Sequence, residues 1–191
     1  MPRPLHQPHE HHTTVRAATS PYTAGDPGGL RSMMRCFPTG VAVVTTVDEH
    51  GKPRGMTCTS LTGVTLSPPT VLVCLNHSSG TSRAVRHRGT FAVNLLHSRA
   101  QDTARLFAGQ LPDRFARLRW HRSQQLGLPL LDDDAFINAV CSVHDSVPVG
   151  DHDVVFGRVH GIEEYDDVPL LHGMQEFRTW VRPGEDGNEQ S

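Results

Sequence analysis

The chain has 191 residues, of which 37% are hydrophobic, and its 18 basic and 20 acidic residues leave a formal net charge of −2. This length fits one domain with room for tails, and the apolar residues suffice for a packed core. The balanced charge argues against a strongly basic nucleic-acid-binding protein and against an acidic tail protein. The longest apolar runs, Val41–Val44 and Val71–Leu75, are far shorter than the ~20 residues that a membrane helix needs, so no membrane span is predicted.

Both ends of the chain are predicted to be disordered tails. Residues 1–28 are rich in His and Pro and nearly free of aliphatic side chains, so they cannot bury enough apolar surface to offset the entropy of ordering. The run His9, Glu10, His11 and His12 could bind a metal ion, but the composition favours a polar tail. Residues 183–191 are similarly polar, which leaves 29–182 as one compact domain.

The N-terminal segment and the cysteines indicate a cytoplasmic protein. No apolar stretch typical of a secretory signal stands near the first residue. The cysteines form no C-x-x-C pair and no zinc-ligand spacing, so we expect reduced, buried thiols and no metal site. They are Cys36, Cys58, Cys74 and Cys141.

The domain begins with a short predicted helix, Leu30–Cys36, and continues mainly as strands. Gly40–Val47 is rich in β-branched residues and precedes the turn residues Asp48–Gly51. The next strand, Gly55–Leu66, ends at Ser67-Pro68-Pro69, which forces an extended or turn conformation. Few long helical segments separate the β-rich runs, so a mainly β fold with an antiparallel barrel is favoured over a parallel sheet. The remaining runs are Val71–Leu75, Phe91–Leu96, Ile137–Val143 and Val154–Ile162.

Further helices are predicted between the strands. Thr81–Arg88 is a basic helix, and Pro112–Trp120 is a candidate for another. Ser98–Ala108 has the clearest ends, because Ser98 and Gln101 match a capping box and Gly109 is typical of a helix stop.

Several catalytic motifs are absent from the sequence. It contains no G-x-G-x-x-G after a strand, no G-x-x-x-x-G-K-[ST], no G-x-S-x-G and no H-E-x-x-H. These absences argue against a Rossmann nicotinamide site, a P-loop nucleotidase, an α/β-hydrolase and a zinc peptidase. The run Asp132–Asp134 could coordinate a hard cation, but a solvated loop is the better interpretation.

Hydroxyl side chains are concentrated between Arg54 and Pro69. On a strand, alternate residues share a face, so Thr57 and Thr59 would lie on one face, with Ser60 and Thr62 on the other. A band of hydroxyls beside backbone N–H groups suits an anion or a flat hydrogen-bonding heterocycle. The alternative is that Thr is simply a good strand residue.

Two other segments are candidate binding elements. The basic helix starts near Ser79 or Thr81, and its first N–H groups could bind a phosphate, although a solvated charged face is an equal alternative. Pro148 and Gly150-Asp151 predict a hairpin, on which the pattern alone favours a solvent-facing His152. Arg83–Arg88 is one short basic patch without an aromatic stacking platform, so no nucleic-acid role is expected.

Four segments together resemble a known family. They are Phe37–Thr46 (FPTGVAVVTT), Gly55–Ser60 with Val64–Pro69, Phe91–Leu96 (FAVNLL), and Gly150–His152 with Phe156–Val159. Their order and spacing are similar to those of the flavin reductase family with an FMN-binding split barrel, the small reductase component of two-component flavin monooxygenases. The resemblance extends from about Leu30 to Trp180.

The resemblance implies a six-stranded antiparallel split barrel with a few short helices, working as a homodimer with flavin near the subunit interface. It places Ser79 and Thr81 near the flavin phosphate, with Arg83 a weaker candidate, and His152 beside the nicotinamide. Gly63 stands where the family commonly has Ser, which leaves the choice between FMN and FAD open. The residues implied to face or support the flavin are Pro38, Thr39, Gly40, Val41, Thr57, Cys58, Thr59, Ser60, Thr62, Val64, Thr65 and Asn94.

The implied reaction explains the missing catalytic motifs. Hydride passes from C4 of NADH or NADPH to N5 of FMN or FAD, so the protein has to stack two rings rather than supply a nucleophile. The resemblance further implies that reduced flavin diffuses to a separate monooxygenase. The alternatives are a split-barrel protein that retains its flavin to act on its own small substrate, or a non-enzymatic flavin store or sensor.

Overall fold

The computed structural model of the protein describes residues 26–182. Of the tails predicted over residues 1–28 and 183–191, residues 1–25, including the His9–His12 run, and residues 183–191 lie outside the described part, whereas residues 26–28 belong to the start of a helix. Three α-helices are present in the described part: α1 (Pro27–Arg35), α2 (Gly80–Arg88) and α3 (Gln101–Ala108). The first four strands are β1 (Thr39–Gly40), β2 (Ala42–Val47), β3 (Pro53–Cys58) and β4 (Thr62–Leu66). The later strands are β5 (Pro69–Asn76), β6 (Thr90–Leu96), β7 (Trp120–Arg122), β8 (Pro129–Leu131), β9 (Ala135–Val149), β10 (His152–Glu164), β11 (Leu170–Gly173) and β12 (Glu176–Thr179).

The main sheet has seven strands in the order β3-β2-β6-β9-β10-β5-β4, and every neighbouring pair is antiparallel. This sheet curls upon itself. Cys58 on β3, at one end of the order, shares a core cluster with Val73 and Leu75 on β5, near the other end. The predicted antiparallel barrel is therefore present, with smaller sheets β1-β11-β12 and β7-β8 packed beside it.

The strand predicted over Gly55–Leu66 is two strands, which corrects the predicted boundaries and makes the sheet seven-stranded instead of six-stranded. The chain leaves β3 after Cys58 because Ser60 binds across the curl of the sheet. Its Oγ accepts from the Cys74 backbone N–H at 2.9 Å and donates to the Cys74 carbonyl at 3.3 Å. The chain then reverses at the predicted Ser67–Pro69 turn, and β4 pairs with β5.

The helix boundaries differ from the predicted ones in three places. The capping box predicted at Ser98 and Gln101 is wrong, since α3 begins after Ala100 without a side-chain cap and Ser98 is buried in the preceding turn. Helix α1 begins at Pro27, capped by Asp26, instead of Leu30. The helix predicted over Pro112–Trp120 is a short 3-10 helix, Arg114–Arg117, followed by β7. No helix in the described part is long and apolar enough to cross a membrane.

The core lies on both faces of β2. Val41 and Val43 pack with Phe107 of α3 outside the barrel, whereas Val44 packs with Phe91 inside it. All four cysteines are free, as predicted, but only Cys58 and Cys141 are buried, while Cys36 is exposed and Cys74 is half-buried. Burial raises the pKa of the Cys141 thiol to about 12, so this group is an inert core residue.

Candidate functional site

Strand register brings the predicted binding segments to one end of the barrel. His152, the first residue of β10, pairs with Asn76, the last residue of β5. The chain then turns into α2, whose capping residue Ser79 lies against β3, with its Oγ 3.5 Å from the Met56 sulfur. The hairpin with His152, the start of α2 and the end of β3 therefore form one region, which we call the candidate site.

The hydroxyl-rich segment reaches this region only at the end of β3, because β4 pairs with residues 69–72, in the half of β5 away from Asn76. Thr59, Thr62, Val64 and Thr65 are exposed, whereas Cys58 is buried. Thr57 donates a hydrogen bond to the Ala104 carbonyl at 2.7 Å, and Thr65 accepts one from the Ser67 backbone N–H at 3.2 Å. Among the residues described, the Thr59 and Thr62 hydroxyls have no protein partner, so they are free to bind a ligand.

The predicted Pro38–Val41 turn lies beside this segment. Pro38 and Gly40 are exposed, and a Cβ built on Gly40 meets no atom within 4 Å. Val41 is only 1% exposed, and its backbone bonds Leu170 and Leu96. Thr39 is half-buried opposite His172. Direct ligand contact on this turn is therefore available to Pro38, Thr39 and Gly40 but not to the Val41 side chain.

Asn94 is placed away from any open surface. Its amide donates to the Val43 carbonyl at 2.9 Å and to Thr45 Oγ1 at 3.0 Å, and its Oδ1 accepts from the Leu131 N–H at 2.9 Å. With the residue 0% exposed, these bonds fix strand β2 in place. Asn94 can support a site only by holding β2, which leads into β3.

The start of α2 offers backbone donors at the surface. The first N–H groups of a helix lack intrahelical acceptors. The Ser79 side chain accepts from the Ser82 N–H at 2.9 Å, which leaves the amides of Gly80 and Thr81 for a ligand. The Thr81 side chain is buried, while Gly80 and Arg83 line an open cleft of about 440 Å³. The other lining residues are Asp48, Glu49, His50, Arg54, Ala84 and His87.

His152 is half-buried at the hairpin. Its Nδ1 lies 2.7 Å from Asp151 Oδ1, and the hydrogen bond from His152 lowers the pKa of the Asp151 carboxyl. The ionised carboxylate accepts from Nδ1–H, so the ring presents Nε2 to the surroundings. This geometry suits a histidine that orients a neighbouring polar group.

Sequence reasoning missed the buried carboxylate next to this histidine. Asp153 is 5% exposed and accepts hydrogen bonds from His77, Ser82 and Arg86. The available signal was its place in β10, since Asp153 lies two residues before the inward-facing Val155 and therefore shares its face of the strand. An acidic residue at an inward position of a strand requires buried partners.

Acidic and histidine side chains do not assemble a metal centre in residues 26–182, where no group of three or more His, Cys, Asp or Glu could hold an ion. Asp132 instead bonds His121 at 2.5 Å, and Asp133 lies 3.6 Å from Arg119.

A sequence model of one protein family decides the identity. The model described as the flavin reductase like domain matches residues 34–181 of this chain. The chain belongs to the flavin reductase-like family. This flavin reductase is 53% identical over 154 residues to the flavin reductase (NADPH) of Lentzea aerocolonigenes, a match that covers 81% of this chain and 90% of that protein.

Two further comparisons connect the family to its reaction and its fold. The reductase subunit of a flavin-dependent monooxygenase from Mycobacterium tuberculosis is 39% identical over 163 residues, covering 83% of this chain and 84% of that protein. The solved NADH:FAD oxidoreductase of Streptomyces globisporus matches with a TM-score of 0.79 at 31% identity, covering 87% of this chain and 100% of that chain.

These likenesses confirm the predicted family, the split-barrel fold and the NAD(P)H-dependent flavin reductase activity. The substrates of this flavin reductase are a flavin and a nicotinamide nucleotide, and its relatives serve two-component monooxygenases. The roles of individual site residues stay predictions. The start of α2 fits the phosphate of a flavin nucleotide, because a Cβ built on Gly80 meets nothing within 4 Å, which leaves open surface at the free Gly80 amide.

Proposed function

We propose that this flavin reductase transfers hydride from NADH or NADPH to FMN or FAD at the candidate site and releases the reduced flavin to a separate monooxygenase. One observation carries the proposal: the free amides at the start of α2 and the half-buried His152 lie at the same end of the barrel. Bound flavin supplies the hydride acceptor, so the protein has to hold two rings in contact at roughly 3–3.5 Å.

The start of α2 binds the flavin phosphate in this proposal. The amides of Gly80 and Thr81 donate to phosphate oxygens, as the positive end of a helix favours. The Ser79 hydroxyl, which caps the helix, lies beside them, and the exposed Arg83 adds a positive charge. The Thr81 residue is only 3% exposed, so its contribution in this proposal is limited to the backbone amide.

The hydroxyl-rich segment and the Pro38–Gly40 turn hold the flavin ring and chain. Thr59 and Thr62 supply free hydroxyls, and Val64 supplies an exposed apolar contact. Thr57, Ser60 and Thr65 use their hydroxyls within the protein and contribute mainly backbone and shape. The buried side chains Val41, Cys58 and Asn94 keep the strands beneath the ring in position.

His152 orients the nicotinamide through its outward Nε2, while Asp151 fixes the ring from the other side. No proton transfer is required of it, since hydride moves between the two bound substrates.

A second copy of the chain completes the proposed enzyme. Helix α1 has no buried residue, and its Leu30 and Met33 are each 60% exposed, as is Phe37 beyond it. A patch of this kind marks a protein interface. Because Phe37 leads directly into the Pro38–Gly40 turn, a homodimer formed on this patch would place the flavin beside the subunit interface.

The test follows the near-ultraviolet absorbance of NADH or NADPH with the purified protein, with and without FMN, FAD or riboflavin. Rapid loss of absorbance that depends on added flavin is the expected result, and its rates rank the flavins and the two nucleotides. A yellow protein that keeps its flavin through purification and does not respond to added flavin would instead identify a bound-flavin enzyme or a flavin store.

A further inference from the structure

The buried carboxylate of Asp153 joins three segments of the candidate site. It follows His152 directly in β10 and is 5% exposed. It accepts hydrogen bonds from His77 Nε2 at 2.9 Å, from Ser82 Oγ at 3.2 Å and from Arg86 Nη1. His77 belongs to the β5–α2 connection, while the other two donors belong to α2.

The α2 side of this cluster is connected to the helix start. The Ser82 backbone N–H donates to the capping hydroxyl of Ser79 at 2.9 Å. The Ser82 Oγ also accepts a hydrogen bond from Arg86 at 3.1 Å. A displacement of the carboxylate would therefore move the first turn of α2, which carries the free amides.

On the hairpin side of this cluster, His77 makes two hydrogen bonds to the His152 hairpin. The His77 side chain binds Asp153, and its backbone N–H donates to the Asp151 carbonyl at 2.9 Å. Burial alone would raise the pKa of the Asp153 carboxyl, but the hydrogen bonds from Arg86 and His77 and their charges outweigh it and lower this pKa. The carboxylate is thus ionised at neutral pH and costly to leave unpaired.

We infer that Asp153 and His77 are positioning residues that fix the distance between the start of α2 and the His152 hairpin. The inference rests on the proposed function, in which α2 binds the flavin phosphate and His152 binds the nicotinamide. Neither residue touches a substrate. Together they set how the two substrates meet.

A change in this distance affects hydride transfer more than binding. Each substrate keeps its own local contacts, so its affinity changes little. The reacting atoms, however, are displaced from each other, and a misplacement of about 1 Å can lower the rate by ~100-fold.

The test compares His77→Ala with His77→Gln, which retains a donor for the carboxylate. His77 is 36% exposed, so both variants are expected to fold. The matched control is His121→Ala in β7, outside the candidate site, which removes a partly exposed histidine that pairs with Asp132. Flavin affinity is measured by fluorescence quenching, and hydride transfer by single-turnover loss of the oxidised flavin absorbance. Hydrogen exchange of the ligand-free protein reports on the amides of residues 147–153 and 79–83.

We expect His77→Ala to slow hydride transfer at least tenfold, with flavin affinity and the half-saturating nucleotide concentration within threefold of wild type. Both peptide segments should exchange faster together in His77→Ala, and His77→Gln should restore both readouts. Equal rates in wild type and His77→Ala, equal losses in the Ala and Gln variants, or a loss matched by His121→Ala would overturn the inference. If wild type itself oxidises no nucleotide with any flavin, the proposed function fails, and the exchange data still decide whether Asp153 and His77 couple the two segments.

Discussion

His152 Nδ1 lies 2.7 Å from Asp151 Oδ1, so one side of the imidazole is occupied and the other side faces outward. This pairing gives the ring a fixed orientation without burying it. An oriented, accessible ring can position the nicotinamide.

His152→Ala is therefore expected to raise the KM for NADH or NADPH about tenfold, equivalent to ~1.4 kcal/mol of binding, with flavin affinity nearly unchanged. Steady-state kinetics and flavin fluorescence quenching measure the two effects. His160→Ala is the control, since His160 lies farther along β10 and bonds Ser142. An unchanged KM in His152→Ala would exclude the proposed role.

Arg83 is expected to contribute charge to phosphate binding. Arg83→Gln should weaken binding of FMN severalfold and leave riboflavin, which lacks the phosphate, unaffected. Arg88→Gln, an exposed charge change in the last turn of the same helix, is the control. Fluorescence titrations measure the affinity of both variants for FMN and riboflavin at low and high salt. The effect of Arg83→Gln should be smaller at high salt, because salt screens an exposed charge. Equal losses for FMN and riboflavin would contradict a phosphate contact.

Local patterns predicted the elements of the fold better than its connections. The β-branched run around Val43 and the Ser79 cap are short-range signals, and both elements formed. The break between β3 and β4 could not be predicted, because it depends on Ser60 binding Cys74 across the curl of the sheet. The Asp153 cluster also joins residues far apart in sequence, so no spacing rule indicates it.

Gly157 is required by the packing of Phe91. A Cβ at Gly157 would lie 2.3 Å from Phe91 Cζ, so Gly157→Ala should lower the free energy of unfolding by ~1–3 kcal/mol. Urea denaturation measures the change. Gly63→Ala, where a Cβ meets nothing within 4 Å, should have little effect. Adding Phe91→Leu should recover part of the stability lost in Gly157→Ala, and the absence of any recovery would show that this clash is not the cause.

Asp167 is expected to contribute to acid sensitivity. The hydrogen bond from Arg99 lowers the pKa of this carboxyl despite the opposing effect of burial. The unfolded state then binds the proton more tightly, so the stabilisation is present above the unfolded pKa of about 3.9 and is lost as pH falls below it. Urea denaturation between neutral and acid pH should show that the free energy of unfolding falls less with acid in Asp167→Asn and in Arg99→Gln than in wild type. If the free energy of unfolding of Arg99→Gln changes with pH as steeply as that of wild type, the Arg99–Asp167 pair does not contribute to the acid sensitivity.

The apolar face of α1 should determine the oligomeric state. Met33→Glu places a charge within this face and is expected to convert the proposed dimer to a monomer in size-exclusion chromatography with light scattering. Ser32→Glu adds the same charge on the opposite side of the helix and should leave the dimer intact. If the flavin lies beside the interface, Met33→Glu should also weaken flavin binding severalfold. A wild-type protein that is monomeric at all concentrations would contradict both the dimer and the proposed place of the flavin.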